Sequence, residues 1–205
     1  MIYEIRTYRI APGTLAEVEK RFGEAYEYRK QLSELTAFWH TEIGSLNEIV
    51  HVWAYRDLAE RARIRAEAVK HPSWPPKIRD FIRTMRSEIV NPFAFVPEVR
   101  PGKMGPFFEL RSYTLKPGSA PDVTKNWEAK LPERTKLSPI VLAGLVEFGA
   151  ANGFIHIWAY ESLDQRARVR AEAVKKGIWP PPAAPDTLMT QENKILLPSA
   201  FSPLQ

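Results

Sequence analysis

The chain has 205 residues, of which 44% are apolar and six are Trp, enough to bury a substantial core. Its 29 Lys and Arg against 24 Asp and Glu give a net +5, split as +2 over residues 1–102 and +3 over 103–205 with no basic block. That even spread argues against a nucleic-acid partner, and the lack of Cys excludes disulfides, thiolate metal sites and a cysteine nucleophile.

The N-terminus enters a strand pattern at once, without the apolar stretch of a signal peptide, and no run approaches a membrane span. The expectation is a cytoplasmic protein with no membrane partner. Ile2 to Ile10 alternates, with Tyr3, Ile5 and Thr7 on one face and Glu4, Arg6 and Tyr8 on the other. Ala11-Pro12-Gly13 then fits a turn, and Thr14 with Glu17 carries a capping-box signature for a helix bearing Leu15, Val18, Phe22 and Ala25. Leu35 to Ile43 and Glu48 to Tyr55 read as two strands around Gly44-Ser45-Leu46-Asn47. A second helix follows with Leu58, Ala62, Ala66 and Val69 on its apolar side, ending near Trp74-Pro75-Pro76. Ile89 to Phe95 completes a β-α-β-β-α-β order, the ferredoxin-like arrangement of an antiparallel sheet with helices on one face.

The same order then returns. His51 to Pro76 aligns without a gap to His156 to Pro181, with 17 of 26 residues identical, and Tyr3 to Gly13 matches Phe108 to Gly118. Ser119 with Asp122 repeats the capping signature, and Pro132 is expected to kink or end the following helix early. A period near a hundred residues suits two copies of a small domain, here residues 1–97 and 107–205 with a Pro/Gly linker at 98–106. The uncovered face of each sheet needs a cover, and the simplest is the other copy's sheet. The predicted architecture is α+β: tandem ferredoxin-like repeats whose antiparallel sheets pack as an intramolecular dimeric α/β barrel.

Tyr3 to Gly13, Phe38 to Tyr55 and Phe108 to Gly118 together resemble the NIPSNAP family, within the dimeric α/β-barrel superfamily. The resemblance covers nearly the whole chain and occurs twice; the second copy departs from it in the hairpin, where Leu142 to Leu145 replaces the region of Trp39 and His40. It implies the same ferredoxin-like sheet and two-sheet barrel. It carries no settled reaction. The superfamily includes monooxygenases, haem-degrading enzymes and isomerases, whose catalytic motifs are not found in this chain.

Alternation suggests which residues line a site. With Val50, Val52 and Ala54 assigned to the helix side, His51, Trp53 and Tyr55 face the space between the sheets, joined by Glu4, Arg6 and Tyr8. The second copy adds His156, Trp158, Tyr160, Glu109, Arg111 and Tyr113 to the same cavity. Arg6 and Arg111 are placed to hold an anionic or carbonyl group, and His51 or His156 to move a proton. The competing account pairs each Glu with its neighbouring Arg across a packed interface. With the 44–47 loop, His40 is expected opposite His51, and Glu42 would complete a two-His, one-carboxylate group in the first copy alone. That triad has no established metal-motif spacing, so neither a metal nor any other cofactor is favoured. Arg61, Arg63 and Arg65, repeated as Arg166, Arg168 and Arg170, read as a solvated helix face or a surface between chains, with Arg63 and Glu67 as an ion pair. Trp74 and Trp179 read as core packing, and His71 as a surface residue.

Three functions fit these residues. The first is a small-molecule binder whose inter-sheet cavity takes an apolar ligand with an anionic or carbonyl end. The second is a cofactor-independent monooxygenase- or isomerase-like enzyme using His51 with Arg6 or Glu4. The third is a structural or interaction module with a filled lumen. A homo-oligomer, as a dimer of tandem-repeat chains, is the expected assembly.

Overall fold

The computed structural model describes residues 1–205. The first copy comprises β1 (Ile2–Ile10), α1 (Leu15–Arg29), β2 (Leu35–Ile43), β3 (Glu48–Tyr55), α2 (Leu58–Ala68) and β4 (Ile82–Pro92). The second comprises β5 (Phe107–Leu115), α3 (Ala120–Thr135), β6 (Ile140–Phe148), β7 (Gly153–Tyr160), α4 (Leu163–Lys175) and β8 (Leu188–Pro198). No helix is long and apolar enough to cross a membrane.

Every strand pairing is antiparallel. β1 lies between β3 and β4, with Arg6 opposite His51 and Tyr3 opposite Val90. β5 lies between β7 and β8, with Arg111 opposite His156. The free edges of the two sheets then pair with each other, β2 with β8 and β4 with β6, closing an eight-stranded barrel. Closure satisfies backbone groups that two open sheets would leave at their rims. The barrel interior is apolar: Tyr3, Ile5, Val50, Val52, Leu110 and Ile157 belong to a contiguous cluster of 17 buried residues. The helices lie outside, each pair covering its own sheet through a separate cluster of 12 buried residues.

The α2 and α4 starts are capped as a reciprocal box. The Asp57 carboxylate accepts from the Glu60 N–H at 2.8 Å while the Glu60 carboxylate accepts from the Arg56 N–H at 2.6 Å, and Ser162 with Gln165 repeats the device. The signature at Thr14 and Ser119 behaves otherwise. Both hydroxyls donate backwards, to the carbonyls of Ala11 and Lys116, and neither caps its helix. Pro132 does not end α3, which runs on to Thr135; the ring sits in the last turn, where few helical bonds remain to be lost.

Other expectations also shift. The buried residues of α2 are Ile64 and Ala68, whereas Leu58 and Val69 are exposed. Glu67 pairs with Lys70 rather than with Arg63. The last strand of each copy begins earlier and ends at Pro92 or Pro198, so Phe95 and Phe201 lie beyond it. Phe201 crosses over to pack on Phe22 and Phe38 of the first copy, and Phe93 packs on Trp127 and Phe154 of the second. Each copy therefore completes the other's helix-side core.

Candidate functional sites

The alternation of β1 and β3 holds, but its direction is opposite to the expectation. Val50 and Val52 point into the barrel with Tyr3 and Ile5, while Glu4, Arg6, Tyr8, His51, Trp53 and Tyr55 point outward beneath the helices. The reason is electrostatic. Arg61 and Arg65 on α2 supply the charges that a buried Glu4 needs, and helices reach only the outer face of a closed barrel. The inter-sheet space is filled with apolar side chains and holds none of the predicted polar set. Instead of one shared lumen, the chain has two separate cavities, one under each helix pair.

In the first copy, Glu4 is fully buried, and its Oε1 accepts from Arg6 Nη1 at 2.6 Å, Arg61 Nη2 at 2.7 Å and Ser87 Oγ at 2.8 Å. Burial alone would raise this carboxyl. The hydrogen bond from Arg61 and the charge of Arg6, helped by Ser87, overcome that and bring it to about 2. Glu109 repeats the arrangement with Arg111 at 2.7 Å and Arg166 at 2.6 Å, and is likewise held at about 2 against the effect of burial. The arginines of α2 and α4 that face inward are thus ion-pair partners rather than a solvated face. Arg6 Nε donates to the Tyr8 hydroxyl at 2.6 Å, as Arg111 does to Tyr113 at 2.5 Å. Burial, opposed by the neighbouring guanidinium, raises both phenols, so each keeps its own proton to donate.

His51 is 2% exposed and lines the cavity. Trp53 Nε1 donates to its Nδ1 at 2.8 Å, and indole N–H is only ever a donor. Burial first, then the charge of Arg6, push the His51 pKa well below the usual 6.5, so the ring is neutral with its proton on Nε2. That Nε2 is buried without a partner. Trp158 and His156 reproduce all of this, including the 2.8 Å bond and the unpartnered Nε2. In this state each His offers a hydrogen bond and accepts none from the cavity.

Two further groups escaped the sequence reading. Arg29 of α1 is 2% exposed, donates to Ser33 Oγ at 2.7 Å and Tyr55 at 3.2 Å, and lies 4.4 Å from the Trp53 ring. It has no carboxylate partner. Arg134 of α3 matches it, with Ser138 at 2.9 Å, Tyr160 at 3.1 Å and Trp158 at 4.2 Å. A signal existed: Arg and Ser four residues apart recur at the same offset in otherwise dissimilar stretches. Trp74 and Trp179, each followed by a cis peptide bond to Pro, form an aromatic wall of their cavity rather than simple core filling. The cavities measure about 490 Å³ and about 320 Å³; the first is lined by four arginines, the second by three, and neither by a carboxylate.

The candidate metal group does not assemble. β2 and β3 pair two residues out of the expected register, so Phe38 faces His51 and His40 faces Ile49. His40 Nδ1 instead meets Glu19 Oε1 of α1 at 2.8 Å, and Glu42 is exposed near the hairpin tip. Asn47, with φ of 59°, accepts from the Ile10 N–H of β1 at 2.8 Å, so the loop end of β3 pairs with β1. His71 stacks on the Tyr28 ring at 3.8 Å, away from either cavity.

Known proteins share this architecture. The NIPSNAP family model matches residues 3–97 and again 108–203. The human Protein NipSnap homolog 3A is 27% identical over 221 residues, covering 100% of this chain and 86% of its own length. A candidate monooxygenase from Lactobacillus acidophilus superimposes over 96% of this chain and 92% of its own, with a TM-score of 0.67 and 10% identity. A mutant chlorite dismutase from Candidatus Nitrospira defluvii does so over 98% and 92%, with a TM-score of 0.58 and 11% identity. These two share the fold. With both halves matched in tandem and a relative aligned along the whole of this chain, the chain belongs to the NIPSNAP family.

Proposed function

We propose that each half of the chain binds a small organic molecule with an apolar body and an anionic or carbonyl end. One observation carries the reading: a buried guanidinium without a carboxylate and a buried imidazole N–H without an acceptor line the same cavity, and do so twice. A buried charge without a counter-ion and a buried donor without an acceptor are both costly, and a carboxylate or polarised carbonyl oxygen answers both. Trp53, Trp74 and Phe22 offer the rings that an apolar or aromatic body would contact. Calorimetric titration of the full chain with 2-naphthoate and with 2-naphthamide tests this. The acid is expected to bind and to lose its affinity in the Arg29→Gln, Arg134→Gln double variant. Equal binding of the neutral amide, or undiminished binding in that variant, overturns the role of the charge.

A catalytic reading draws on the same tautomer. A neutral imidazole N–H can polarise a carbonyl without surrendering a proton, as isomerase-type chemistry needs. Under that reading His51→Ala removes turnover of a carbonyl substrate. Wild-type turnover in the variant would exclude it.

A further inference from the structure

The groups that would meet an anion correspond one for one in the two cavities: Arg6 and Arg111, Arg29 and Arg134, His51 and His156. The walls facing them do not. Phe22 in the first copy stands where the second has Trp127, and Met85 stands where the second has Gln191. The Trp127 ring lies 4.7 Å from His156 and 4.6 Å from Trp179. Phe22 leaves wider gaps, 5.0 Å to His51 and 5.6 Å to Trp74. The cavity behind Phe22 holds about 490 Å³, that behind Trp127 about 320 Å³. Duplicated sites that keep the same Arg and His set while one wall grows from phenyl to indole differ in what they admit, because the larger ring takes space that Phe22 leaves open.

We infer that the chain is a two-site binder with divided size selectivity: the N-terminal site takes a fused bicyclic aryl carboxylate, the C-terminal site only a monocyclic one, and residue 22 or its counterpart 127 sets the limit. This rests on the anion-binding reading above. Phe22 and Trp127 act by shape and touch the body of the ligand, while Arg6, Arg29, Arg65 and His51 have counterparts in the second site and only the exposed Arg79 of the first has none.

Titration calorimetry of the intact chain with benzoate and 2-naphthoate separates the possibilities. Two benzoates and a single 2-naphthoate per chain are expected, with any second 2-naphthoate at least about 10-fold weaker. Trp127→Phe is expected to bring the 2-naphthoate stoichiometry to two, and Phe22→Trp to abolish 2-naphthoate binding at the first site while benzoate still binds twice. Two equal 2-naphthoate sites in the unaltered chain overturn the inference without recourse to any variant. A stoichiometry that stays at one in folded Trp127→Phe overturns the selector role. If neither acid binds, the anion-binding reading itself falls; that outcome differs from equal binding at both sites.

Discussion

Trp53 Nε1 donates to His51 Nδ1 across 2.8 Å, two residues apart on one face of β3. Side chains at i and i+2 of a strand share a face, so His-x-Trp on a regular strand brings the two rings within reach, and the bond recurs between Trp158 and His156. It decides which nitrogen carries the proton. Replacing Trp53 with Phe keeps a ring but removes the donor, leaving Nδ1 buried and unpaired at a cost of about 1–3 kcal/mol. In nitrogen-15 spectra the unaltered protein is expected to show His51 as a single Nε2–H tautomer, and Trp53→Phe a mixture. A single unchanged tautomer in the variant would refute the indole's control.

The two buried imidazoles make stability depend on pH well above the range in which Glu4 and Glu109 titrate. Their folded pKa values lie well below 6.5, through burial and then the charge of Arg6 or Arg111, so below pH 6.5 the unfolded chain binds protons that the folded chain does not. Stability therefore falls with falling pH, at up to about 1.4 kcal/mol per pH unit for each His. Urea midpoints measured between pH 7 and 5 are expected to decline, and the His51→Gln, His156→Gln double variant to flatten the curve. Glu4 and Glu109 act lower down. Held at about 2 against an ordinary 4.5, they stabilise the fold fully above pH 4.5 and lose that contribution as pH falls through about 2.

Glu4 and Arg29 differ in what their removal costs. Glu4→Ala leaves Arg6 and Arg61 without their shared anion inside the protein, and the expected loss is about 3–5 kcal/mol. Arg29→Leu removes a buried cation that has no carboxylate to strand, so its cost is confined to the bonds to Ser33 and Tyr55 and the stack on Trp53. Chemical denaturation is expected to place the Arg29→Leu midpoint much nearer the unaltered protein than Glu4→Ala. The reverse order would mean that Arg29 is a structural ion and not a ligand's partner.

The duplication made the fold legible. An alternating β1 repeated as β5, and the gapless match of His51 to Pro76 with His156 to Pro181, fix six elements per copy and a two-sheet closure. What alternation cannot supply is direction: Glu4, Arg6 and His51 share a face with certainty, but both faces of a closed barrel under helices are buried. The sign came from Arg61 and Arg65, whose charges demand Glu4 on their own side. The hairpin register was hidden for a different reason, since a shift of two residues leaves every side chain on the same face and alternation cannot tell Phe38 from His40 opposite His51. Arg29 stayed invisible because a lone helical Arg reads as solvent-facing until its lack of a carboxylate and its burial are seen together.

The two copies also trade bulk across the barrel seam, and this trade can be measured. The Ser199 N–H donates to the Phe38 carbonyl at 3.0 Å, and the Phe93 N–H donates to the Ala143 carbonyl at 2.9 Å, so the two pairs occupy equivalent places. In one the ring belongs to the inner strand, in the other to the crossing tail. Phe93, 6% exposed, fills beside Trp127 and Phe154 the volume that Ala143 leaves. Phe93→Ser alone is expected to cost about 3–5 kcal/mol through an unfilled cavity. Ala143→Phe alone should cost about 1–3 kcal/mol by overpacking against the Phe93 ring. Combined, they recreate the Phe38 and Ser199 arrangement, so the double variant is expected to be more stable than the sum of the single losses by at least about 1 kcal/mol. Urea unfolding of the four proteins in the cycle measures that coupling. Strict additivity would show that Phe93 and Ala143 do not share one space.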